Sequence, residues 1–181
     1  MKRFAASVLT ATLIAACART ETPARPFQFS VVPDFAICDQ TEDVTGLALN
    51  IWGSNQEHAL AIGLINGSFG QSGGLAFGFV NYTANFNGGQ AGLLNVATDA
   101  YNGGQVGFVN YAQNTLSGVQ CGLLNYAGRL DGFQVGFVNM APQMEAGLQV
   151  GFLNLIVENR QWFGGLPNEL APAMVFVNWK F

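Results

Sequence analysis

A chain of 181 residues that is half apolar, holds 23 glycines and is charged at only 10% of its positions is not a disordered segment, because disordered chains are poor in apolar residues and rich in charge. Three cysteines are too few for a disulfide-framework miniprotein. The net charge of −4, with no basic patch, excludes nucleic acid as a partner.

At the N-terminus, Lys2 and Arg3 precede an apolar stretch, Phe4–Ala16, and then Cys17. A basic start, an apolar run of this length and small residues at its end form a secretory signal. The run is too short to cross a bilayer as a mature helix. Ile14-Ala-Ala-Cys17 resembles the lipobox of bacterial lipoproteins, with Ile where Leu is commoner. The resemblance implies removal of residues 1–16 and lipid attachment at Cys17. Ala18 stands after the Cys instead of Asp, which implies the outer membrane. Ordinary signal cleavage after Ala18, discarding Cys17, is the alternative. Several acyl chains on one residue give lasting anchorage where one gives little. Residues 17–26 then form a lipidated tether, polar and Pro-containing. Loss of Lys2 and Arg3 leaves 5 basic against 11 acidic residues, a net charge of −6.

Residues 27–45 begin as a strand-like alternation broken at Pro33 and are expected to cap the first repeat edge. Asp34, Asp39, Glu42 and Asp43 cluster in sequence but lack the ordered ligand spacing of a calcium loop, so they read as a solvated acidic surface.

From 46 to 154 one eight-residue unit recurs, most cleanly as GGQVGFVN at 103–110. The others are 46–53, 59–66, 74–81, 88–95, 118–125, 132–139 and 147–154, starting 13 to 15 residues apart. A fixed short period is the signature of a repeat architecture. Positions one and five are Gly seven times of eight, position three is Gln five times, and position eight is Asn seven times. Positions two, four and six are apolar, which predicts a strand with one apolar face packed in a core. Cys121, at position four, reads as a small core residue. Charged residues fall between units (Glu57, Asp99, Arg129, Asp131, Glu145), so the connectors read as the wet segments.

These features predict an all-β repeat protein, a parallel β-solenoid of 14–15-residue units. Equivalent positions stack about 4.8 Å apart in such a fold, and identical amides form ladders. The expected Asn ladder comprises Asn66, Asn81, Asn95, Asn110, Asn125, Asn139 and Asn154; the Gln ladder comprises Gln90, Gln105, Gln120, Gln134 and Gln149. Ala48, Ala61 and Ala76 interrupt the Gln column in the first units. Position six alternates Leu64, Phe79, Leu93, Phe108, Leu123, Phe137 before Phe152 breaks the order, which suggests two units, 29–30 residues, per coil. Residues 155–181 leave the period and form a C-terminal cap with a last strand from 173, ending in Phe181. That aromatic end, and a count of ten strands, keep an alternative open: a ten-stranded antiparallel meander or outer-membrane-type barrel with positions two, four and six facing lipid.

The repeat resembles the GLQIGLVN-type units of bacterial surface-repeat-containing lipoproteins, and the segments PFQFSVVP, GLALNIWG and VFVNWKF resemble that family's ends. The resemblance implies a lipid-anchored location on the bacterial outer membrane, on its periplasmic or surface face, and adds no chemistry. The only histidine, His58, lies beside Glu57 on a turn, and no catalytic set or metal cage assembles around it. The expected role is therefore non-enzymatic, needs no cofactor, and is structural or adhesive. Partners are the membrane, through the anchor, and an unidentified protein or glycan. A Cys38–Cys121 disulfide is permitted in that compartment.

Overall fold

The computed structural model describes residues 24–181. The expected signal segment 1–16, Cys17 and most of the expected tether 17–26 therefore lie outside the described residues. Among the described residues eight strands form one sheet in chain order, save that the short β2 flanks β1 on the outside. They are β1 (Ala24–Val32), β2 (Phe35–Ala36), β3 (Asp43–Ser54), β4 (Gln56–Phe77), β5 (Val80–Ala97), β6 (Ala100–Ala141), β7 (Gln143–Ile156) and β8 (Ala173–Lys180). The sheet winds on itself as a parallel β-solenoid of about nine turns. β6, at 42 residues, passes through successive coils without interruption.

Register fixes one unit per coil. Gln90 pairs with Gln105 and Asn95 with Asn110, each 15 residues on, and Gly132 pairs with Gly147. The expected two-unit coil is wrong, so the Phe/Leu alternation has another origin. Pairing is parallel from β1 through β7, which rules out the antiparallel meander and barrel; antiparallel partners occur only at the ends.

The face that points inward is the polar one, opposite to the face expected to pack in the core. Val106 and Phe108 are exposed, whereas Gln105 and Asn110 are fully buried. The same holds along the stack: Phe133, Val135 and Phe137 face out while Gln134 and Asn139 face in. Alternation establishes that successive side chains take opposite faces and is silent on which face is interior. Here the interior takes the face whose side chains can pair with copies of themselves. A buried amide is costly only when unpaired, and a stack supplies its partner in the next coil.

Four inward columns make the core. The first is Gln28, Ala48, Ala61, Ala76, Gln90, Gln105, Gln120, Gln134 and Gln149; the second is the Asn column. The third and fourth come from the connectors. Ala97, Ala112, Ala127, Ala141 and Ile156 form one, and Phe86, Tyr101, Leu116, Leu130 and Met144 the other. The connectors are thus not simply wet: they supply the apolar core that the units were expected to provide.

Both ends are covered. β1 is already a rung in register, Phe27 opposite Leu47 and Ser30 opposite Asn50, so the stack begins ahead of the expected boundary at 46. β2 then folds back along β1. At the other end β8 closes β7 antiparallel, and residues 157–172 shield its outer edge through Leu170 N to Trp179 O and Phe181 N to Asn168 O. Such covers block edge-to-edge pairing with other chains.

Candidate functional site

The two predicted amide columns are continuous hydrogen-bonded ladders. In the Asn column each Nδ2 donates to the Oδ1 of the next Asn, from Asn66 through Asn81, Asn95, Asn110, Asn125 and Asn139 to Asn154, at 2.8–2.9 Å. The second amide hydrogen goes to the backbone carbonyl at position four of the next unit, as from Asn95 to Val106 and from Asn110 to Cys121, both 3.0 Å. In the Gln column Gln105 donates to Gln90, Gln120 to Gln105, Gln134 to Gln120 and Gln149 to Gln134, at 2.8–3.0 Å.

The Asn column also explains the glycine at position five. A Cβ on Gly107 would lie 2.5 Å from the Gly92 carbonyl oxygen and 2.7 Å from the Asn95 amide nitrogen. The first unit, 46–53, solves the same problem by exchange. Asn50 stands at position five and Gly53 at position eight, and Asn50 Nδ2 reaches Asn66 Oδ1 at 3.1 Å. A Cβ on Gly53 would fall 2.4 Å from the Asn50 side chain, so the two residues share one space. Asn50 is thus a ladder member that the degraded unit concealed.

The core of the first coils differs from the rest. Glu57, placed in a connector by the sequence, is buried in register with Val44, and Ser72 lies in the same column opposite Phe86. Asn50 Nδ2 donates to Glu57 Oε1 at 3.3 Å, and the Glu57 backbone N–H donates to Ser72 Oγ at 3.2 Å. Burial pushes the Glu57 carboxyl up to about 7, against the smaller opposing effect of the Asn50 hydrogen bond. The Ser54 and Ser68 hydroxyl oxygens are buried nearby in sequence without partners.

Outside, positions two, four and six form an apolar face running the length of the stack. Its rows include Leu75, Phe77 and Phe79 in one coil and Phe133, Val135 and Phe137 in another, all exposed. No charged residue occupies these positions. Soluble monomers rarely expose so large a contiguous apolar patch, and such patches mark interaction surfaces. On connector surfaces lie shallow polar clefts, one lined by Asn85, Asn87, Asn102, Thr115 and Ser117 among others.

The remaining candidates resolve simply. Cys121 is exposed on the apolar face, not in the core, and Cys38 is buried; both are free thiols, so they do not pair. His58 is exposed, separated by one face of the strand from the buried Glu57 beside it. In the acidic segment Glu42 pairs with Arg25 at 2.7 Å, which holds its carboxyl below the usual range. Among the described residues no group of three or more His, Cys, Asp or Glu is placed to hold a metal ion, and no helix is long and apolar enough to cross a membrane. No family model, curated protein or solved structure matches the chain at a significant level.

Proposed function

We propose that this chain is a non-enzymatic, lipid-anchored protein of the bacterial outer membrane, whose solenoid is a rigid interaction element. The anchor would be Cys17, and residues 18–23 would tether it to a stack that begins at Ala24. One observation carries the reading: an uncharged apolar face lies outside a core closed by paired amides. A polar interior satisfied by its own ladders leaves the Phe, Leu and Val side chains free to meet a partner. Among the described residues the one carboxyl that burial strongly perturbs, that of Glu57, is enclosed in the core, where a substrate could not reach it.

Fractionation of cells making the full chain tests the anchor. The wild type is expected in the outer-membrane fraction, and Cys17→Ser in the soluble periplasmic or secreted fraction. A wild-type chain recovered in the soluble fraction sinks the reading.

A further inference from the structure

The Phe/Leu alternation at position six is not explained by two units per coil, since each coil holds one unit. Nor is it a core-packing pattern, because Leu64, Phe79, Leu93, Phe108, Leu123 and Phe137 are all exposed. On the surface it makes a corrugation. Bulky rings at Phe79, Phe108 and Phe137 recur every second coil, about 10 Å apart, with shorter leucines between them. Beside Phe79 lies a shallow apolar hollow floored by the position-five glycines Gly63, Gly78 and Gly92 and edged by Leu93. Gly89 and Gly104 lower the neighbouring position-two row in the same middle coils. The alternation ends where Phe137 and Phe152 stack at 4.9 Å, nearly parallel.

We infer that this face is a self-association surface, and that a second copy of the chain covers it. Two such faces, related by a two-fold axis and offset by one coil, set each ring of one copy over a leucine trough of the other. About nine turns at ~4.8 Å by about five residues at ~3.3 Å give roughly 700 Å² per copy. Specific interfaces bury about 600–1,000 Å² per partner, so the face falls within the range of a dimer interface. Neither copy brings a charge into the contact, so nothing repels like from like. Fluid acyl chains conform to any apolar surface and give no reason for a two-coil corrugation. A net charge of −6 beyond residue 16 also opposes approach to anionic headgroups.

The inference names the partner of the interaction face and so rests on the proposed function. The test places the photo-crosslinker p-benzoylphenylalanine at Phe108 or Phe137 in the full chain, in the cells that make it. The same group at Gln113, an exposed connector position, is the control. Irradiation is expected to give a covalent species of twice the chain mass from 108 and 137 and none from 113. Phe108→Lys, combined with the crosslinker at 137, is expected to abolish that species while the chain stays protease-resistant, because residue 108 faces out. A crosslink to a different protein overturns self-association and keeps the interaction role. Absence of any protein crosslink from 108 and 137 overturns both.

Discussion

Asn110 and Gln105 lie in the same coil, both fully buried, and their side-chain amides donate in opposite directions along the stack. Asn110 donates forward to Asn125 at 2.8 Å, and Gln105 donates back to Gln90 at 3.0 Å. The two ladders are antiparallel rows of amide dipoles inside one low-dielectric tube. The ends show the same polarity. The Asn row leaves Asn50 Oδ1 without a donor at its N-terminal end, and the Gln row leaves Gln149 Oε1 without one at its C-terminal end. Opposed rows cancel their fields, whereas two rows of one sense would add them. Within a row each amide polarises the next, so an interior member is coupled to both neighbours.

Removing an interior Asn should therefore cost far more than removing an exposed one. Asn110→Ala deletes a donor to Asn125 and to Cys121 O, and an acceptor for Asn95. Each buried group left unpaired costs about 1–3 kcal/mol, so a loss of about 3 kcal/mol or more is expected. Asn114→Ala removes one exposed bond to Asp99 and should cost under about 0.5 kcal/mol. Thermal melts of the two variants decide the matter, and equal shifts would count against the ladder as a stabilising element.

Two glycines of one unit give a sharper contrast. A Cβ at Gly104 meets nothing within 4 Å, whereas one at Gly107 meets the Gly92 carbonyl oxygen at 2.5 Å and the Asn95 amide at 2.7 Å. Gly104→Ala should leave the melting temperature almost unchanged. Gly107→Ala has to spread two coils or break the Asn ladder, at about 2–3 kcal/mol or more. Circular dichroism melts are sufficient, and a tolerated Gly107→Ala would show that the coils can separate more easily than their register suggests.

The repeat made the unit length, the parallel strand direction and most members of both amide columns legible in the sequence. The Phe/Leu alternation misled on the coil, which holds one unit and not two, and the degraded first unit hid Asn50. Identical amides recurring at a fixed spacing have a use only where like stacks on like. The inward face was not legible, because a period of two places Val106 and Gln105 on opposite sides without naming the interior. Hydrophobicity then pointed the wrong way. The ladder satisfies the amides, and the two connector columns, including Leu116 and Leu130, already fill the apolar part of the core. Glu57 was misplaced for a related reason. A charged residue between units looks wet, yet it sits in the inward column two residues ahead of its unit, where Leu116 and Leu130 stand ahead of theirs. That column was visible as spacing, and its direction was not.

The ends of the Gln row allow a test of polarity. Gln120 donates to Gln105 and accepts from Gln134, while Gln149 donates to Gln134 and its own oxygen is unpaired. Gln120→Met breaks two ladder bonds. Gln149→Met breaks one and removes an orphan acceptor already present. The interior substitution should be worse by about 1–2 kcal/mol in urea melts. A larger loss at 149 would mean that the row is closed at its end by a donor, and that the polarity argued from its orphan oxygen is wrong.

Glu57 gives the pH dependence of the fold a definite sign. Its carboxyl is raised from 4.5 to about 7 by burial, so the folded state holds the proton more tightly than the unfolded chain does. Below pH 4.5 both states are protonated and the group makes no difference. Between 4.5 and 7 the unfolded chain ionises first, so stability falls as pH rises. Above 7 the full penalty applies, and a shift of this size corresponds to about 3 kcal/mol. Glu42 and Glu158 shift the opposite way, through Arg25 and Lys180, and lose their contribution as pH falls. Comparing wild type with Glu57→Gln at each pH cancels those two. The variant keeps the shape and an oxygen that can accept from Asn50, so it should match the wild type near pH 4 and be more stable by up to about 3 kcal/mol near pH 8. A difference that does not change between pH 4 and 8 would show that the Glu57 carboxyl ionises as freely in the fold as in the unfolded chain.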